Sequence, residues 1–133
     1  MNNIISYEKD ELGIVTLTID MPGRAVNVMN AAFGEAFGEA VVRLAAQAGL
    51  TGVIITSAKD TFVAGADIDF IFQQTDPAVV FQMMQEIKAQ QRKLETMGIP
   101  VAAAINGSAL GGGWEIALAA HYRVAIDDPK TRI

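Results

Sequence analysis

Three consecutive glycines, Gly111-Gly112-Gly113, are the strictest condition on how this chain can fold. They follow the apolar run Val101-Ala102-Ala103-Ala104-Ile105 and the turn Asn106-Gly107-Ser108-Ala109-Leu110, and they open onto Trp114-Glu115. The run reads as a buried strand over 101–105, and 114–120 reads as a buried helix. Glycines leave no side chains over the backbone, so a ligand can approach the amides closely. A helix start just beyond them aims unpaired N–H groups and a positive dipole end at that ligand. Glu115 stands beside the same spot. Two local readings stay open. One is an anion or carbonyl-oxygen site with a carboxylate next to it. The other is a tight strand-to-helix turn with a solvated acid, because helix starts favour acids for dipole reasons alone.

The remaining segments alternate between the two periods. Residues 4–9 and 14–19 read as strands, the second mixing β-branched residues with alternation, and Glu11-Leu12-Gly13 between them is short enough for a hairpin. Asn30 is positioned as an N-cap for a helix over 31–48, whose Phe33, Phe37, Val41 and Leu44 recur at three- and four-residue spacing. Gly52-Val53-Ile54-Ile55-Thr56-Ser57 reads as a strand buried on both faces. A short helix is predicted over 68–72. A longer one runs from Pro77 to about Met97, with Val80, Met83, Met84, Ile87, Leu94 and Met97 as a stripe and the methionines as core packing. Residues 122–126 read as a last strand. Mixed strand–helix alternation without a repeat argues for an α/β fold in a single domain over 1–133.

Bulk properties exclude several functions. A net charge of −5 with no basic stripe does not support a nucleic-acid partner. With no cysteine and one histidine, disulfides, thiolate nucleophiles and cysteine or His-rich metal sites are excluded. The first ten residues lack the basic and apolar regions of a signal peptide, and no apolar stretch approaches the ~20 residues of a membrane helix. A cytoplasmic location is expected. A phosphate loop fails because Gly113-Trp114 stands where Lys and Ser/Thr are needed, and the dinucleotide fingerprint fails at Ile116.

Ala64-Gly65-Ala66-Asp67 repeats the layout of the glycine run: a strand feeds a loop of small residues, and a helix begins beyond it. Two such loops after parallel strands could bring two main-chain donors together. Paired amides stabilise an oxygen that becomes negative during reaction. Spacing alone does not establish that convergence.

Phe62-Val63-Ala64-Gly65-Ala66-Asp67-Ile68, Ile99-Pro100-Val101-Ala102-Ala103-Ala104-Ile105-Asn106-Gly107 and Ala109-Leu110-Gly111-Gly112-Gly113-Trp114-Glu115, in this order, resemble the crotonase (enoyl-CoA hydratase/isomerase) superfamily. His121-Tyr122-Arg123 and Thr131-Arg132-Ile133 are most similar to the N-terminal hydratase part of bacterial multifunctional fatty-acid-oxidation α-subunits. The resemblance implies a spiral of ββα repeats, of which this chain is the N-terminal part. It implies an enoyl-CoA hydratase-type lyase of fatty-acid β-oxidation, with amides of Ala66 and Gly112 as the oxyanion hole and Glu115 as the first catalytic acid. It also implies substrate or coenzyme A contacts at Arg24 (a phosphate), at Ala25 and Val26, at Ala64, Gly65, Ala66, Asp67 and Ile68, and at Gly111. Coenzyme A enters as part of the substrate, and no further cofactor or metal is expected. A trimer-type oligomer, or a complex with a thiolase subunit in the multifunctional branch, is implied for the parent protein.

The chain departs from the family in one respect. The family's second glutamate lies in a Gly-Leu-Pro-Glu-like motif just beyond an Arg-Ile pair, and this sequence ends at Arg132-Ile133. A fragment of a longer parent is therefore expected. Isomerisation on one acid and a non-catalytic acyl-CoA-binding or docking module are the alternatives. Several residues read more simply as structure. Asp67 is expected to cap the helix at Ile68. Trp114 is expected to pack in the core, His121 to make a local hydrogen bond, and Arg123 to pair within the fold. Lys59, Asp60 and Asp69 are expected to be solvated.

Overall fold

The computed structural model describes residues 4–133. Five strands, β1 (Ile5–Lys9), β2 (Ile14–Ile19), β3 (Gly52–Ser57), β4 (Val101–Ile105) and β5 (Tyr122–Ala125), form one sheet in sequence order. The β1–β2 hairpin is antiparallel and each later strand adds parallel, with Val15 opposite Val53 and Val53 opposite Val101. Parallel neighbours need crossovers, and helices supply them. These are α1 (Ala31–Ala45) between β2 and β3, α2 (Ile68–Phe72) and α3 (Pro77–Glu95) between β3 and β4, and α4 (Gly112–Ala119) between β4 and β5.

Period-two patterning makes the core. Val15, Leu17, Ile19, Val53, Ile55, Val101, Ala103 and Ile105 are buried, as are Phe33, Phe37, Val41 and Leu44 of α1. Asn30 caps α1 through a 3.0 Å bond from the Phe33 amide to its Oδ1. The helix stops at Ala45 rather than 48, and Gly49, with φ of +64°, completes the turn into β3. Within α1, a Cβ added at Gly34 meets nothing within 4 Å. Interior helix glycine costs about 0.5–1 kcal/mol relative to alanine. Gly34→Ala should therefore raise stability by about that amount, read as a higher urea midpoint at an unchanged slope.

A second row of short segments runs beside the main sheet. After β2, β3, β4 and β5 in turn, the chain passes through residues 27–29, 62–66, 108–110 and 131–133. Ala64 donates to the Asn27 carbonyl (2.8 Å), Phe62 to that of Ser108 (3.0 Å), Leu110 to that of Val63 (3.0 Å) and Ala109 to that of Arg132 (2.9 Å). Met29–Ala66 and Val63–Ala109 are parallel bridges of this row. Strand, short segment and helix thus repeat along a spiral, in agreement with the expected ββα repeats. The fully buried Asn27 fastens the row to the sheet. Its Oδ1 accepts from the Met21 amide, and its Nδ2 donates to the Ile19 carbonyl, Ser57 Oγ and the Phe62 carbonyl.

Two expectations about α3 are corrected. The helix ends at Glu95, leaving Met97 outside it. Of its stripe only Leu94 is buried; Met84 is exposed, and Val80, Met83, Ile87 and Met97 are half-buried. The cause is position: the principal neighbours of α3 are the helices α1 and α4 rather than the strands. The α1–α3 seam leaves a cleft of about 540 Å³, lined by Phe33, Phe37, Met83 and Ile87 and reaching Met29.

Candidate active site

The first loop leaves β3, passes through residues 62–66 and enters α2. Gly65 has φ of +97°, in the left-handed half of the map where a side chain strains the backbone. Two bonds hold the segment on Met29: the Met29 amide donates to the Gly65 carbonyl (2.8 Å), and the Asp67 amide donates to the Met29 carbonyl (2.9 Å). In extended backbone successive amides point to opposite sides, so that of Ala66 faces away from Met29. It has no partner among the described residues, and Ala66 is exposed.

The second loop leaves β4 through residues 108–110. Gly111, with φ of +49°, turns the chain into α4. The helix begins at Gly112, two residues earlier than the sequence suggests, and the Glu115 amide closes its first turn on the Gly111 carbonyl (3.0 Å). Gly112 is thus the first helical residue. Its N–H is one of the orphan donors of a helix start, without a partner among the described residues.

The two loops meet. A Cβ at Gly65 would lie 3.0 Å from the Leu110 carbonyl oxygen and 4.0 Å from Gly111 Cα. Two free main-chain donors, one per loop, therefore flank a glycine–glycine contact. Glu115 folds back over the second: its Oε2 is 3.9 Å from where a Gly112 Cβ would stand. Its carboxylate is exposed and makes no hydrogen bond or ion pair among the described residues. Such an arrangement can hold an oxygen that gains negative charge, with a carboxylate free to move a proton beside it.

Asp67 and Arg24 belong to the rim. Asp67 Oδ1 accepts from the Phe70 amide at 3.4 Å as the α2 cap, and its Oδ2 meets Arg24 Nη2 at 2.7 Å. The Asp67 side chain is buried and that of Arg24 is about half exposed. Ala25 is exposed, Val26 half-buried and Ile68 exposed, on the two segments this ion pair joins. The expectation that Lys59 is merely solvated is corrected: its Nζ pairs with Asp20 Oδ1 at 2.9 Å and donates to the Arg24 carbonyl at 2.8 Å. Asp60 and Asp69 are exposed.

The expectations for Trp114, His121 and Arg123 hold. Trp114 packs half-buried against the core. His121 Nδ1 accepts from the Val101 amide (3.0 Å) and its Nε2 lies 3.0 Å from the Glu95 carbonyl oxygen. That partnership assigns the ring proton to Nε2, since an amide can only donate. Arg123 donates to the Ala117 and Ala120 carbonyls at the end of α4. Among the described residues no His, Cys, Asp and Glu group could hold a metal ion, and no helix is long and apolar enough to cross a membrane.

Sequence reasoning missed Asn27 and Met29, the residues that carry the first loop. The available signal was a lone amide in the run Ala25-Val26-Asn27-Val28-Met29, since a polar group buried in apolar surroundings must be hydrogen-bonded.

Comparison with known proteins identifies the family. Residues 9–132 match the family described as Enoyl-CoA hydratase/isomerase. The chain is 41% identical, over its whole length, to the fatty acid oxidation complex subunit alpha of Shewanella loihica, and covers 19% of that protein. It superposes on the crystal structure of enoyl-CoA hydratase from Bacillus anthracis with a TM-score of 0.83 and 30% identity, covering 92% of this chain and 47% of that one. A probable enoyl-CoA hydratase/isomerase from Mycobacterium abscessus gives a TM-score of 0.80 at 32% identity, covering 95% and 48%. The chain thus spans about a fifth of the curated relatives it matches and about half of the solved ones.

Proposed function

The chain belongs to the enoyl-CoA hydratase/isomerase family, and we propose that its site holds the thioester of a 2-trans-enoyl-CoA for hydration to 3-hydroxyacyl-CoA in fatty-acid oxidation. The observation that carries this reading is the contact of two loops with one free amide each, at Ala66 and Gly112, beside the unpartnered carboxylate of Glu115. Water adds its oxygen to C3 and a proton reaches C2. Between these events the thioester oxygen carries enolate charge, and the two amides receive it. Glu115 exchanges a proton with the water. Arg24 offers a cation to a coenzyme A phosphate, and the chain at Ala25, Val26 and Ala64 to Ile68 offers main-chain contacts. The Arg132 amide donates to Ser108 Oγ at 3.0 Å, which lays residues 131–133 along the second loop. Assembly into an oligomer or with a thiolase subunit, in the cytoplasm, follows from the same reading.

Isomerisation of an enoyl-CoA double bond is the second reading. It is favoured because Asp67 is committed to Arg24 and the α2 cap, which leaves Glu115 as the free carboxylate among these site residues. Crotonyl-CoA and a 3-enoyl-CoA separate the cases. Formation of 3-hydroxybutyryl-CoA supports hydration, and conversion of the 3-enoyl to the 2-enoyl thioester alone supports isomerisation. Calorimetric binding of crotonyl-CoA without either product would replace both with a binding module.

A further inference from the structure

Met29 touches both donor loops by different means. Its backbone amide and carbonyl clamp Gly65 and Asp67 on either side of Ala66. Its thioether fills the space beside Gly112: a Cβ built there would overlap Met29 Sδ and lie 3.2 Å from its Cε. Met29 is 8% exposed, so its thioether is enclosed by the surrounding chain. Asn27, two residues earlier, ties the same segment to three other parts of the chain. One end of the Met29 residue is therefore anchored and the other bears on the second loop.

We propose that Met29 is a positioning residue, a spacer whose thioether sets the separation of the Ala66 and Gly112 amides. The inference rests on the thioester reading above. N–H···O bonds keep to about 2.7–3.2 Å and near-linear angles, so two donors serve one oxygen only within a narrow spacing. The flexible, polarisable methionine side chain suits a gap bounded by a bare glycine backbone. Removing it leaves a cavity into which the start of α4 can settle.

Two measurements on the 133-residue chain test this. The first is a double-mutant stability cycle in urea. Gly112→Ala should lower the folding equilibrium constant a few-fold more in the unsubstituted chain than in the Met29→Ala background, where Met29 Sδ no longer meets the new Cβ. Equal losses would overturn the contact. The second is the infrared stretch of a carbonyl-¹³C-labelled dienoyl-CoA, bound and free. Binding to the parent should lower the stretch. Met29→Ala should lose at least half of that shift while free coenzyme A binds within about twofold of the parent, and Met29→Leu should retain the shift. Met29→Val, an apolar but shorter replacement, carries the same expectation if the alanine variant does not fold. A full shift in folded Met29→Ala or Met29→Val overturns the spacer alone. No shift in the parent overturns the thioester reading and the spacer with it.

Discussion

On the proposed hydratase reading, Glu115→Gln should lower enoyl-CoA hydration by ~10²–10⁴-fold in kcat, the usual contribution of one positioned acid–base group. Affinity for coenzyme A should stay within a few-fold of the parent. The substitution is clean for structural reasons. Glu115 is exposed, and its carboxylate has no partner among the described residues whose loss would perturb the fold. Surface changes of that kind usually fall within about 0.5 kcal/mol in stability. Glutamine keeps the shape of the side chain and removes its charge and its ability to exchange a proton. A variant with near-normal hydration would remove Glu115 from the mechanism. A variant that loses coenzyme A affinity in parallel would make it a binding residue instead.

Local chemistry made the two loops legible, and distance concealed what joins them. Gly65 and Gly111-Gly112-Gly113 mark positions where side chains are not tolerated, and both follow strands readable from β-branched or small apolar runs. The order of those motifs carries the resemblance to the family. The start of α4 was misplaced because glycine has low helix propensity, whereas the first turn is closed here by the Glu115 amide on Gly111 regardless of that propensity. The correction matters, since it makes Gly112 the first helical residue with an orphan N–H. The Arg24–Asp67 pair spans 43 positions and the Asn27–Ser57 bond 30. No window of sequence contains both partners. The α3 stripe was overread for a related reason: periodicity reveals an apolar face but not what lies against it, and this helix meets other helices more than the sheet.

Gly113→Ala is expected to be the most damaging single methyl in the site. A Cβ there would overlap the Val63 carbonyl oxygen and lie 2.7 Å from Val63 Cβ and 2.9 Å from Val63 C. The obstacle is mostly main chain, so no rotamer change relieves it. Val63 cannot yield, because its carbonyl accepts from Leu110 and its segment bridges Ala109. Either α4 lifts away from the first loop or the bridge breaks. Overpacking of this kind costs about 1–3 kcal/mol, and more when backbone must move. The expected result is a urea midpoint lowered by that amount and, in whatever folds, thioester polarisation lost while free coenzyme A still binds. Gly111→Ala provides the contrast. Its φ of +49° strains an alanine, yet the nearest atom to the new Cβ is Gly65 Cα at 4.0 Å. With ψ of −121° the residue lies outside the left-handed helical well, and that variant should lose about 1–3 kcal/mol through backbone conformation alone. A Gly113→Ala urea midpoint equal to that of the unsubstituted chain would mean that the loops do not bear on each other through Val63 and Gly113, and the close seating of α4 against the first loop would have to be abandoned.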